Sequence, residues 1–558
     1  MPSDSALPVS SSARRPPRRV GALTVGAWIA GLLVALPVLG VLAQLANPSG
    51  TAWRGMIATV LPGYALNTAI LMLVVGLGTA VVGVATAWLT TMCRFPGRGL
   101  FEWALVLPLA VPAYVMAYTW TDLLDFTGPV QTALRHAFGW GPRDYWFPPV
   151  RSVGGAAALF VFVLYPYVYL LARTAFIDQS GGALDAGRVL GNGAWRNFHR
   201  VALPLARPAI AAGVALALME TLADFGAVAY FEVPTFTTGI YRAWFSFGDR
   251  VGAAQLSAGL AILALLLLWV ERRARADRRF HPTTRRHRPL PAYRLTGPRA
   301  ALATLACALP VVIGFVLPAG VLIHFSILGG DGQWGARYVR LAINSVVLAG
   351  LAAIVSVAIA VLLAYAVRVA RGGPTVWIAR LAGIGYAIPG AVVAIGILVP
   401  VAAFDNALDA WLRAAFGVSS GLLVSGSIAG VVYALTVRYL SAASQSVEAG
   451  LQTITPSLDG AARTLGSGAF AALRRVHLPM LRGPLATAGL IVFVDAMKEL
   501  PATLMLRPFN FDTLAVQAWN LARDERLAEA STAALTIVAV GLLPLILLTR
   551  SIVRGKGA

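Results

Sequence analysis

The chain has 558 residues, 58% of them hydrophobic and 12% charged, a charged share about half that of soluble globular domains. That balance excludes an ordinary soluble fold, and many apolar runs exceed the roughly 18 residues that mark a membrane helix, which identifies an all-α polytopic membrane protein. The net charge of +21 is almost wholly arginine, Lys498 and Lys556 being the only lysines. The arginines lie between apolar runs and at the chain ends, where they hold loops in the cytoplasm. No basic stretch is interleaved with stacking aromatics, so no nucleic-acid partner is expected.

In chain order, Arg14, Arg15, Arg18 and Arg19 close a cytoplasmic tail, residues 1–20. The run that follows, 21–46, is too long for a signal-peptide core and lacks a clear A-x-A site, so it reads as an uncleaved first span. Further spans are expected over 66–90, 100–125, 152–175, 206–231 and 252–271. After an Arg- and Pro-rich stretch, 272–298, come 299–328, 341–370, 376–404, 419–445, 483–506 and 528–550. About twelve transmembrane helices put both termini on the cytoplasmic side with most arginine-bearing loops, Arg135, Arg143 and Arg151 excepted. The stretch 272–298 has no apolar periodicity and reads as a cytoplasmic linker between two six-span halves, 21–271 and 299–558. Cys93 and Cys307 have no CxxC partner or histidine cluster, which argues against a disulfide or zinc site.

The halves are copies. A shift of 275 residues lays Gly191 on Gly466, Leu203-Pro204 on Leu478-Pro479, Glu220 on Asp495 and Asp224 on Glu499. It also lays PTFTTGIYRAW (234–244) over FNFDTLAVQAW (509–519), matching Phe236 to Phe511 and Trp244 to Trp519. A shift of 277 pairs Asn67 with Asn344 and Pro112 with Pro389. Repeats of six spans are parallel, related by an axis along the membrane normal.

The most alike segments are DAGRVLGNGAWRNFHRVALP (185–204) and GAARTLGSGAFAALRRVHLP (460–479), identical at ten of twenty positions. Asp185 suits a helix start, where a carboxylate meets unpaired amides. Gly191 and Gly193 can end that helix, and Trp195 to Leu203 can form a second before Pro204 and Pro208. Topology needs the arginines but not the shared glycines or the Leu-Pro ending. Two short, partly apolar cytoplasmic helices suit docking to a symmetric dimer of another protein.

These strips resemble the EAA loop of ABC-importer permeases: E-A-A, three residues, G, nine residues, I, one residue, L-P. The first copy matches at Asp185, Ala186, Gly187, Gly191, Val201, Leu203 and Pro204; the second at Ala461, Ala462, Gly466, Val476, Leu478 and Pro479. Asp185 replaces the family glutamate in one copy and Gly460 in the other, with Asp459 beside it. The resemblance covers both halves and implies the type I (MetI-like) importer permease fold in a bacterial inner membrane. It also implies coupling helices that enter clefts on two copies of a cytoplasmic ATPase, and a periplasmic or extracellular solute-binding protein.

A phosphate-gripping loop needs G-x-x-x-x-G-K-[ST]. Lys498 follows Asp-Ala-Met and Lys556 precedes glycine, so ATP and Mg are expected on the ATPase subunit, with no cofactor and no catalytic residue on this chain. Ionisable residues inside spans are costly and functional suspects. METLADFG (219–226) and DAMKELPA (495–502) occupy matching positions, and Asp224 falls roughly 27 Å along its span, near the outer mouth, with Glu220 one turn deeper. These two with Asp495 and Glu499 read as a carboxylate-lined vestibule for a cation or polar solute, without a stable metal site. Alternatively they cap helix ends, pair with Lys498 or Arg507, or hold a gate shut, with Pro501 kinking the span there. The segments 230–250 and 505–525, bearing Phe236, Tyr241, Trp244, Phe511 and Trp519, read as scoops contacting the binding protein or as an interfacial aromatic belt.

ETLADFG, PTFTTGIYRAW and KELPATL resemble permeases of the ferric-iron importer group; fused thiamine permeases and aminophosphonate importers are also similar. Ferric ion favours oxygen ligands, thiamine an aromatic cradle, and a phosphonate would be repelled by carboxylates unless Arg or Lys neutralises the mouth. Ferric iron is the first expectation and thiamine the second. A secondary transporter also commonly has two six-span halves but needs no twin docking strips. A membrane enzyme needs clustered catalytic residues, whereas the histidines, at 136, 199, 281, 287, 324 and 477, are scattered.

Overall fold

Backbone amides in hydrocarbon must find partners within their own segment, so the long apolar runs close as helices. The computed structural model describes residues 22–44, 55, 58–178, 187, 189–191, 193–276, 293–328, 333–370 and 373–554. Its first run of elements is α1 (Ala22–Ala43), α2 (Leu61–Met92), α3 (Arg98–Ala104), α4 (Ala113–Leu124), α5 (Pro129–Phe138), α6 (Val153–Asp178), α7 (Ala194–Ala223), α8 (Gly226–Tyr230), α9 (Phe236–Tyr241) and α10 (Arg250–Ala276). The second run holds α11 (Pro298–Ile327), α12 (Ala336–Ala370), α13 (Pro374–Ala382), α14 (Gly390–Phe416), α15 (Ile428–Thr453), α16 (Pro456–Thr464), α17 (Ala469–Met480), α18 (Arg482–Met497), α19 (Pro501–Leu506), α20 (Leu514–Arg523) and α21 (Leu527–Arg554).

Among the described residues, nine helices are long and apolar enough to cross a membrane, and two bent pairs raise the number to eleven. The expected span 419–445 corresponds to α15, which buries Arg438 and is not among the eleven. Four other expected spans are interrupted, among them 483–506, which breaks between α18 and α19. The run 100–125 bends by 96° after Ala110, where Pro112 starts a new helix from an extended ψ of 143°. The run 376–404 breaks between α13 and α14, where Pro389 has the same ψ of 143°. The run 206–231 breaks after Ala223, where Asp224 is extended at ψ 136°, and α8 begins at Gly226.

Side-chain caps also recur, and they refine the repeat. Asn67 Nδ2 donates to the Pro234 carbonyl at 2.9 Å, and Asn344 Nδ2 to that of Asp512 at 3.0 Å. Thr235 and Thr513 are the N-caps of α9 and α20. The offset is therefore 278 at the caps, and the overlay of Trp244 on Trp519 is corrected: Trp519 corresponds to Tyr241. Asp512, the counterpart of Pro234, pairs with Arg507.

The first helix of each run lies against the other run. Trp28 Nε1 on α1 donates to Thr375 Oγ1 at 3.0 Å, and the Tyr433 hydroxyl donates to the Leu33 carbonyl. In exchange, Gly314 on α11 lies against Pro108 and the Phe162 carbonyl. Cys93–Arg94 and Tyr293–Arg294 pair as two short parallel strands, β1 and β2, which fasten the start of α11 to the end of α2. Cys93 and Cys307 are free, buried, and share one apolar cluster with Phe176 and Phe198.

Candidate functional site

Seven elements converge on a central cavity of about 110 Å³: the start of α4, the middle of α6 and of α15, the ends of α7 and α18, and the first residues of α8 and α19. Its wall carries Glu220, Asp224, Asp495, Lys498, Glu499 and Pro501, so the two matched sequence stretches meet in one place. Gly76 on α2 faces Leu218 and Asn67 reaches Pro234, so Asp224 lies between those levels.

Asp224 and Glu499 are first of all helix caps. Asp224 Oδ1 accepts from the amides of Ala227 and Val228 at 2.9 and 3.3 Å. Glu499 accepts from the amides of Ala502 and Thr503 at 2.8 and 3.0 Å and from the Thr503 hydroxyl at 2.7 Å. Both caps hold a short helix, α8 or α19, at the top of the cavity. Beyond the caps the two copies differ. Glu499 pairs with Arg438 at 3.2 Å, Asp495 with Lys498 at 2.9 Å, and Glu220 accepts from the Tyr386 hydroxyl at 3.3 Å. Gly390 is confined there, because an added Cβ would collide with the Arg438 guanidinium and the Glu499 carboxylate.

Arg438 and Tyr386 were missed from sequence. Arg438 was detectable as a charge inside an expected span; Tyr386 carried no signal of its own. Counting the wall gives four carboxylates (Glu220, Asp224, Asp495, Glu499) against two cations (Arg438, Lys498). Among the described residues no three His, Cys, Asp or Glu side chains converge as a metal-holding group.

The two runs also meet above the cavity. The Tyr114 hydroxyl donates to the Lys498 carbonyl at 3.4 Å and that of Tyr241 to the Pro501 carbonyl. Phe225 stacks on Tyr241 and lies 5.5 Å from Trp519. Tyr241 and Trp519 are therefore buried, which corrects their expected place on an outer contact surface: their rings close a seam within the chain. Phe236, Trp244 and Phe511 are half-buried, whereas Phe245, Phe247 and Phe509 are exposed.

In the repeated strips, Gly191 and Gly466 sit at φ of +79° and +76°, a left-handed conformation that favours glycine. In the second copy the turn closes as Gly466 N donates to the Arg463 carbonyl and Ser467 N to that of Ala462, both at 2.9 Å. Asp185 and Ala186 lie outside the described residues; Gly187 abuts Asn197, leaving no room for a side chain. Leu203-Pro204 continue straight into the rest of α7, but after Leu478-Pro479 the chain bends by 77° between α17 and α18. Asp459 is bound to Arg368 at 2.9 Å and His477 at 2.8 Å, so it fastens α16 to its neighbours. At one offset of 275 the strips expose matching apolar side chains: Leu190 at 81% and Leu465 at 84%, Trp195 at 73% and Phe470 at 65%.

No family model matches the chain. Over 546 residues, 96% of the chain and 99% of the relative, it is 26% identical to the Fe(3+)-transport system permease protein FbpB 2 of Haemophilus influenzae. Over 208 residues, 35% of the chain and 88% of the relative, it is 33% identical to the molybdenum transport system permease protein ModB of Escherichia coli strain K12. The sulfate transport system permease protein CysT of the same strain is 28% identical over 201 residues, 36% of the chain and 69% of the relative.

Proposed function

The chain belongs to the ABC-importer permeases, and on that premise we propose that it forms the whole membrane passage of an ATP-driven ferric-iron importer. Residues 21–271 and 299–558 would be its two halves, joined by the linker 272–298. The observation that carries the cation is the cavity wall, with four carboxylates against two cations. Hard ferric ion favours oxygen donors, whereas an excess of carboxylate repels molybdate, sulfate or a phosphonate. The ferric-transport relative, which aligns along nearly the whole chain, supports the same reading.

The strips supply the coupling. Leu190 with Trp195, and Leu465 with Phe470, would each seat in a cleft on one of two identical ATPase subunits, which bind ATP and Mg. Both termini would then face the cytoplasm, and the solute-binding protein would dock on the opposite face. When ATP closes the ATPase pair, the strips approach each other and the seam above the cavity parts. The contacts that must break include the neutral bonds of Tyr114 to Lys498 and Tyr241 to Pro501, each worth about 1 kcal/mol net, and the exposed Arg151–Glu525 pair at 3.6 Å. The Arg438–Glu499 pair remains within one half and need not break.

Thiamine is the second reading, because Tyr114, Tyr167 and Tyr439 line the same cavity and aromatic faces attract organic cations. Uptake of labelled ferric iron in cells carrying or lacking the chain separates these readings, with thiamine, molybdate and an aminophosphonate as competitors. Chain-dependent uptake that resists all three establishes iron. Absence of iron uptake with the ATPase present, or full competition by one of the three, replaces iron as the solute.

A further inference from the structure

A polar helix face cannot be left against hydrocarbon. On α15, Arg438, Ser441, Gln445, Glu448 and Gln452 recur at three- and four-residue intervals, the spacing of one side of a helix, over roughly 21 Å. Arg438 faces the central cavity. Ser441 and Gln445 line a second cavity of about 420 Å³, bounded by α7, α10 and the break before α14. Ser441, Gln445, Glu448 and Gln452 line a third, of about 470 Å³, which shares Arg272, Gly383, Ser441 and Gln445 with the second. The three cavities follow one stripe to the end of α15. Between the first and second stands the hydrogen bond from Tyr386 to Glu220, with Glu220 on the wall of one and Tyr386 on the wall of the other.

The other copy lacks this face. At an offset of 275, α6 carries Val163, Pro166, Leu170, Arg173 and Ile177, apolar except for Arg173, which is buried and paired with Glu102 at 3.1 Å.

We infer that the solute leaves the central cavity along α15 alone, so the inner half of the passage is asymmetric although the chain is a repeat. The Tyr386–Glu220 contact is its closure. Hydroxyl, amide and carboxylate groups in succession suit a small hydrophilic solute that keeps part of its water. The direction of travel rests on the importer reading; the route does not.

The test is the reaction of single cysteines with a charged, membrane-impermeant methanethiosulfonate in inverted vesicles that hold the chain with its ATPase. Ser441→Cys and Gln445→Cys are compared with Leu170→Cys, the first-copy equivalent of position 445. The native Cys93 and Cys307 are buried and give a low background. Positions 441 and 445 are expected to react about ten-fold faster than 170, since only a water-lined wall admits the reagent, and to be slowed when ATP and vanadate trap the ATPase closed. Equal rates at the three positions would overturn the asymmetric route. So would fast labelling at 441 and 445 that ignores ATP and vanadate in vesicles that hydrolyse ATP, which would mark a static groove. Vesicles without ATP hydrolysis would count against the importer reading itself, while the ratio of rates would still decide the route.

Discussion

Arg438 and Glu499 lie 3.2 Å apart with both side chains buried, while Asp224, which corresponds to Glu499, caps α8 and has no ion-pair partner within 4.0 Å among the described residues. One conserved geometry thus serves two electrostatic states. In the second copy a guanidinium from α15 pairs with the cap; in the first the capping carboxyl is held by the amides of Ala227 and Val228.

Loss of the two caps should therefore be unequal. Glu499→Gln leaves Arg438 buried without its charge partner and is expected to cost about 3 kcal/mol. Asp224→Asn keeps a capping oxygen and should cost less than about 1 kcal/mol. Thermal unfolding of the two variants in detergent gives the order, and equal losses would contradict it.

Gly191→Pro with Gly466→Pro removes the positive φ that turns each strip. The ATPase should no longer co-purify, with the chain still in the membrane. Leu190→Glu with Leu465→Glu leaves the backbone intact and should give the same loss through the exposed side chains alone. Undiminished association in both double variants would show that the strips do not dock the ATPase.

The aromatic segments should separate by burial. Trp519→Ala opens a hole beside Phe225 and is expected to cost about 3–5 kcal/mol. Phe247→Ser with Phe509→Ser should change stability by less than about 0.5 kcal/mol and reduce stimulation of ATP hydrolysis by the binding protein. Melting curves and stimulated ATPase rates check both.

Burial pushes the Cys93 thiol up to about 11, against the opposing pull of Arg98. The thiol is therefore neutral at pH 8, and alkylation by iodoacetamide should be slow until the chain is unfolded. A raised pKa means the folded state holds a proton the unfolded chain releases. The stability it contributes is complete below the ordinary thiol value and falls as pH rises toward 11. Rapid alkylation of the folded chain at pH 8 would contradict the burial.

What the sequence made legible was what it said twice. The strips, the matched carboxylates and the prolines at 112 and 389 were found by offset, and the structure brings the carboxylates to one cavity. What is not repeated was hidden by the same comparison: Arg438 corresponds to Val163, so nothing in the overlay drew attention to it. Tyr386 lay inside what reads as an unbroken apolar span, and only the break before α14 turns it toward Glu220. The Phe and Trp matches of the outer segments masked the extra residues near Asp512, because ring identity outscored the caps Thr235 and Thr513 that set the register. Burial of Tyr241 and Trp519 could not be read either, since a closed seam and a membrane-surface belt use the same residues.

The most direct measurement is ATP-dependent uptake of ferric iron and of molybdate, each delivered by binding protein, into proteoliposomes holding the chain and its ATPase. Iron should accumulate and molybdate should not, and Glu220→Gln with Asp495→Asn should lower iron uptake about ten-fold or more, about 1.4 kcal/mol, with ATPase association intact. Molybdate uptake, or iron uptake unchanged in that variant, would contradict a cation passage through this cavity.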